Sequence, residues 1–127
     1  MSQLPEGFIP VMLTPFTPTG HIDFKGLVRL TDMYIQVGAK GLFANCLSSE
    51  MYELSVQERL DVVKTVVETA AGRVPVVATG TIEGSMEQMA DFSNRLHALG
   101  VQAVIVLNNI LTQEHESDAV FLERMHQ

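Results

Sequence analysis

The chain holds a single cysteine, no tryptophan and no run of basic residues along its 127 positions. With Cys46 alone, no intramolecular disulfide forms, and the chain reads as a protein of a reducing compartment, the cytoplasm. Eight Lys and Arg against fifteen Asp and Glu leave a formal charge of −7. Non-specific nucleic-acid binding therefore lacks its electrostatic drive, and no nucleic-acid partner is expected. Apolar runs stay far below the ~18 residues that read as a membrane span, so no membrane partner is expected either. The start, MSQLPEGFIPVML, has no basic segment ahead of its short apolar stretch and does not read as a signal peptide. His21, His97, His115 and His126 show no metal-ligand spacing, and His115, between Glu114 and Glu116, reads as a solvated helix start. The stretch Gly80–Gly84 lacks both the phosphate-loop lysine and the dinucleotide glycine pattern.

What is present is a globular pattern. Hydrophobic residues make up 46% and charged residues 18% of the chain, enough for one domain over residues 1–127 with a real core. Four short runs, Phe8–Leu13, Gly41–Ala44, Val74–Ala78 and Ala103–Leu107, are rich in Val, Ile, Leu and Phe without polar alternation. That pattern suits strands buried on both faces. Amphipathic segments of helical length lie between them. Leu27, Leu30, Tyr34 and Val37 share one face, with Gly38 as the stop. Val56, Leu60, Val63 and Val67 share the next, with Gly72 as the stop, and Met86, Met89, Leu96 and Leu99 the third, followed by Gly100. Ser55 to Glu58 and Ser85 to Gln88 match the capping box, and Asp23 is placed to cap the first helix. Strand, capped helix, glycine and strand at this period predict an α/β fold with a parallel sheet. Two architectures remain: the first four βα units of an eight-stranded (β/α)₈ barrel, a half-barrel, or a small doubly wound sheet. The last segment, TQEHESDAVFLERMHQ, reads as a fourth helix with no terminal Gly or Pro, and truncation is the expected explanation.

Parallel βα folds gather function at the C-terminal ends of their strands. Those ends are Thr14-Pro15-Phe16, Cys46-Leu47-Ser48-Ser49-Glu50, Thr79-Gly80-Thr81 and Asn108-Asn109. Hydroxyls and backbone amides converging there suit a small carboxylate or phosphate; the same residue types also simply make turns. Cys46 reads as a small hydrophobe rather than a nucleophile, since no base is paired with it. Glu50 reads as a residue that structures its loop, with general base as the alternative. Lys25 and Lys64 fall on the solvent side of helices and Lys40 precedes the second strand, so none is expected at this rim to act as a desolvated amine.

These residues also carry a resemblance. PVMLTPF, GHIDFKGLVRLTDMYIQVGAKGLF, SSEMYELSVQERLDVV, GRVPVVATG and ALGVQAVIV resemble, in order, the first half of the dihydrodipicolinate synthase / N-acetylneuraminate lyase family. The resemblance implies a (β/α)₈ barrel and a class I lyase or aldolase that uses a 2-oxo acid such as pyruvate through a Schiff base, with no metal or organic cofactor. It implies that Ser48 matches the hydroxyl that holds the pyruvate carboxylate and that Glu50 matches the loop glutamate. Ser49 and Thr14 are counted with Ser48 as substrate-binding. Cys46 and Ser49 stand where the family has glycines, and Leu47 replaces a hydroxyl that often joins a proton relay. Leu107-Asn108-Asn109-Ile110 replaces the common Thr-Pro-Tyr-Tyr. These departures point to a divergent subgroup with another substrate. The family's catalytic tyrosine and Schiff-base lysine would lie beyond Gln127, so no catalytic residue is expected in this chain. The other class of function is a non-catalytic chain with a weak anion pocket. Exposed strand edges make a homo-oligomer the expected state.

Overall fold

The computed structural model describes residues 6–126. The first five residues, on which part of the signal-peptide reading rests, and Gln127, the end of the fourth helical segment, lie outside them. The elements are α1 (Phe24–Gln36), β1 (Leu42–Ala44), α2 (Val56–Ala70), β2 (Val76–Thr79), α3 (Met86–Leu99), β3 (Ala103–Ile105) and α4 (Asp118–Met125). Short 3₁₀ turns occur at Leu47–Ser49, Met51–Glu53 and Asn108–Ile110.

The sheet is parallel in the order β1-β2-β3, with Phe43 opposite Val77 and Val77 opposite Ala103. The run Phe8–Leu13, expected as a full strand, lies along the outer edge of β1 and pairs only through a parallel bridge from Val11 to Phe43. The Met12 amide donates to the Phe43 carbonyl and the Phe43 amide to that of Pro10, both at 2.9 Å. Proline has no N–H to extend the ladder, so one missing donor reduces the segment to a bridge. The spatial order follows the chain order, which places the first run outside the second. A doubly wound sheet with 2-1-3-4 order would put it inside. The architecture is thus the start of a barrel, not closed, and the doubly wound alternative does not hold.

One face of this sheet meets the helices. Met12, Leu42, Ala44, Val76 and Ala78 join Leu27, Leu60, Val63, Val66, Phe92 and Leu96 in a single cluster. Helix starts follow local chemistry. The Asp23 carboxylate accepts from the Gly26 amide at 2.8 Å. Ser55 and Glu58 exchange hydrogen bonds of 3.2 and 2.8 Å, and Ser85 with Gln88 repeats the pair at the same lengths. Two helix details differ from expectation. Val37 ends α1 as its C-cap, 74% exposed, because the stripe has rotated away from the core by that last turn. The left-handed turn after α2 begins one residue early, at Ala71 (φ 50°), before Gly72. Phe92, which the pattern left unassigned, is 1% exposed and fills the space under α3.

The α4 segment is fastened by charge. The Arg124 guanidinium donates to both oxygens of Glu116, at 2.6 and 2.8 Å, and to the Leu111 carbonyl. That pairing, then the Gln113 amide, holds the Glu116 carboxyl below the ordinary glutamate range. A lowered pKa means the fastening is complete above the pKa of an unfolded-chain glutamate and is lost as pH falls through the folded value. Protection of the Asp118–Met125 amides, measured relative to their intrinsic exchange rate at each pH, should therefore fall on acidification, and Glu116→Gln should reproduce the loss at neutral pH and flatten the pH response. Phe92→Ala should cost about 3–5 kcal/mol in urea unfolding, from lost transfer energy and the residual cavity. An unchanged midpoint would count against the packing described.

Candidate functional site: the strand-end loop after β1

Loop geometry at the end of β1 is set by two residues in the left-handed region, Asn45 (φ 54°) and Glu50 (φ 56°). They bracket Cys46–Ser49, so the chain leaves the strand, makes one tight turn and reverses into Met51–Glu53. Asn accepts this conformation readily; a glutamate does so at a cost of about 1 kcal/mol or more. Such strain persists only where surrounding contacts enforce it.

The enforcing contacts centre on Ser49, which is 1% exposed. Its hydroxyl donates to the Met12 carbonyl at 2.5 Å and accepts from the Cys46 amide at 3.0 Å. The Thr14 hydroxyl, also buried, donates to the Ser49 carbonyl at 2.7 Å. Thr14 and Ser49 thus lock the first run against the loop, and their hydroxyl protons are spent on backbone carbonyls. Ser48 differs: it is exposed, and among the described residues no hydrogen bond engages its hydroxyl. Glu50 structures the loop through its backbone rather than its carboxylate. Its amide donates to Leu47 and its carbonyl accepts from Glu53, while the side chain is exposed and makes no hydrogen bond among the described residues. Arg59, buried at the start of α2, donates from Nε to the Leu54 carbonyl at 3.0 Å and anchors the far end of the excursion.

The other strand ends lie beside this loop. The Thr79 amide donates to the Asn45 carbonyl at 3.3 Å, and Thr81 accepts from the Leu107 amide at 3.1 Å. Two buried atoms at these ends, Asn45 Oδ1 and Thr79 Oγ1, have no partner among the described residues. Asn45 was not singled out from the sequence. An asparagine directly after an apolar run is the available signal, because that side chain tolerates left-handed backbone. Asn108 and Asn109 are exposed in their 3₁₀ turn. Cys46 is half-buried. Among the described residues no group of three His, Cys, Asp or Glu is placed to hold a metal, and no helix is long and apolar enough to cross a membrane. A cavity of about 520 Å³ lies between α3 and α4 and reaches the strand ends, lined by Met86, Met89, Leu111 and Met125 together with Gly80, Thr81 and Arg124. Its lining is mostly apolar, and the Arg124 guanidinium at its edge is already paired with Glu116.

A sequence profile of the dihydrodipicolinate synthetase family matches residues 4–117. The chain belongs to this family. It is 38% identical over 111 residues to a 4-hydroxy-tetrahydrodipicolinate synthase of Laribacter hongkongensis (strain HLHK9), covering 85% of this chain and 38% of that protein. The corresponding enzyme of Methylococcus capsulatus is 34% identical over 112 residues, covering 86% of this chain and 38% of the relative. Among solved structures, YagE, a prophage protein of the dihydrodipicolinic acid synthase family from E. coli K12 determined in complex with pyruvate, superposes with a TM-score of 0.83. It is 26% identical, and the match covers 95% of this chain and 40% of YagE. An N-acetylneuraminate lyase from Mycoplasma synoviae superposes with a TM-score of 0.73 at 25% identity, over 79% of this chain and 34% of that one. The chain therefore spans about two fifths of the length of the relatives it matches.

Ser49→Ala should destabilise the fold by about 1–3 kcal/mol, because the Met12 carbonyl and the Cys46 amide lose a buried partner together. Ser48→Ala should stay within about 0.5 kcal/mol of the parent. Chemical denaturation of the two variants side by side checks the division between an anchoring and an available hydroxyl.

Proposed function

We propose that this chain carries the carboxylate-binding half of a class I lyase or aldolase site that acts on a 2-oxo acid such as pyruvate. One observation carries the reading: on the rim where parallel βα folds bind ligands, a strained and pinned turn leaves the Ser48 hydroxyl free as a donor. The family membership and the pyruvate complex of YagE support it. In this reading Ser48 donates to the substrate carboxylate, and Ser49 and Thr14 act by holding the turn, which refines the expectation that all three touch substrate. The chemistry is condensation of the 2-oxo carbonyl with a lysine amine, with loss of water. The resulting imine then withdraws electrons from the bond that is made or broken.

The amine comes from residues other than those described. Lys25, Lys40 and Lys64 are all exposed, without the burial that activates a Schiff-base lysine. That observation also favours the second reading, a chain that binds a small anion weakly and does no chemistry. In this reading the chain works in the cytoplasm as part of a homo-oligomer, and the proposed reaction uses no metal or organic cofactor.

Pyruvate binding, followed by saturation-transfer NMR, tests the site. Ser48→Ala should weaken it roughly ten- to hundredfold, the worth of a hydrogen bond to a charged group. Equal binding by parent and variant removes Ser48 from the site. Treatment of the chain with pyruvate and borohydride should leave no stoichiometric adduct. A mass shift localised to Lys25, Lys40 or Lys64 would place the amine on this chain after all.

A further inference from the structure

The 3₁₀ turn Leu47–Ser49 sets three consecutive side chains about 120° apart, at three residues per turn. Ser49 points inward, where the Met12 carbonyl and the Cys46 amide hold its hydroxyl. That leaves Leu47 and Ser48 on the two outward directions, and both are exposed. Leu47 is 51% exposed and belongs neither to the core cluster nor to the residues packed against it. The same loop buries its other apolar side chains, Met51 and Leu54. Leu47 cannot fold back to join them, because left-handed Asn45 and Glu50 and the Ser49 hydrogen bonds fix the turn from both ends. A leucine exposed singly on a surface needs no explanation. This one is held rigidly beside the free hydroxyl of the ligand rim.

We propose that Leu47 selects the substrate by its carbon chain, so that the preferred 2-oxo acid carries an apolar extension beyond the carbonyl. The inference rests on the reading of Ser48 as the carboxylate donor and names the substrate class of that site. Consecutive Cα atoms lie ~3.8 Å apart. With the carboxylate on Ser48, the carbon chain of the ligand therefore comes within reach of the neighbouring leucine. Each methylene laid against Leu47 leaves water together with part of that side chain, and both gains add to binding. A hydroxyl in the same place would lose its water without gaining a partner. The two nearest buried hydroxyls, of Thr14 and Ser49, are already spent on backbone carbonyls.

A ligand series tests this. Affinities of the chain for pyruvate, 2-oxobutanoate, 2-oxopentanoate and 3-hydroxypyruvate are measured by titration with saturation-transfer NMR. Binding should tighten roughly two- to fourfold per added methylene, and 3-hydroxypyruvate should bind more weakly than 2-oxobutanoate, its apolar isostere. Leu47→Ala should bring the ratio of 2-oxopentanoate to pyruvate affinity close to one. Leu47→Met, apolar and of similar volume, should keep the ratio. Ser48→Ala should weaken the whole series by a similar factor and leave the ratio in place. A flat or falling series in the parent, or a rise that survives Leu47→Ala, overturns the inference alone, provided that Ser48→Ala still weakens binding. A series that binds Ser48→Ala as well as the parent removes the carboxylate reading and this inference with it, as does a parent that binds none of the four.

Discussion

Everything in this molecule follows from a sheet that buries only one face against its helices. Met12, Leu42, Ala44, Val76 and Ala78 point into a single core with α1, α2 and α3. The right-handed crossover forces this: each strand–helix–strand unit returns on the same side of the sheet, and the strands add in chain order. The central strand is buried on its other face too, at Val77 and Thr79, while Val11 and Leu13 of the first run stay exposed. Burial of apolar surface is worth ~25 cal/mol per Å², so the helix-covered face carries most of the core.

The same constraint places the chemistry. Strands that all run one way deliver all their C-terminal ends to one rim, and the loops there share one space. Within that rim the loop after β1 is unusual in how it is held. Two left-handed residues bend it, and the Ser49 hydroxyl ties it to Met12 in the first run. The result is a division of labour between adjacent serines. One is consumed in making the turn, and its neighbour is presented by it. A glycine at position 49 gives the turn conformational ease; the serine gives it a hydrogen-bonded anchor.

The βα order, the capped helix starts and the strand-end rim were legible in the sequence because each rests on local rules. Unbroken apolar runs, the Ser55–Glu58 and Ser85–Gln88 capping boxes and the glycines at helix ends act over a few residues, and the structure keeps them. Where expectation slipped, a non-local effect intervened. Pro10 cut the first strand to a single bridge, since the cost of its missing donor depends on what lies beside it. Val37 turned outward because helix period and core position part company at the end of α1. Phe92 became central because the space under α3 is defined by neighbours distant in the chain.

Position along the chain determined which residues would reach the rim, since strand ends and helix caps are set by neighbouring side chains. It made Thr14, Ser48, Ser49 and Glu50 candidates of one kind. Only the tertiary structure separated them, because a hydroxyl's availability depends on whether a carbonyl far away in sequence takes its proton. Met12 and Ser49, brought together across 37 positions, decide that Ser49 is an anchor. Among the described residues Ser48 has no such partner, and its hydroxyl stays exposed.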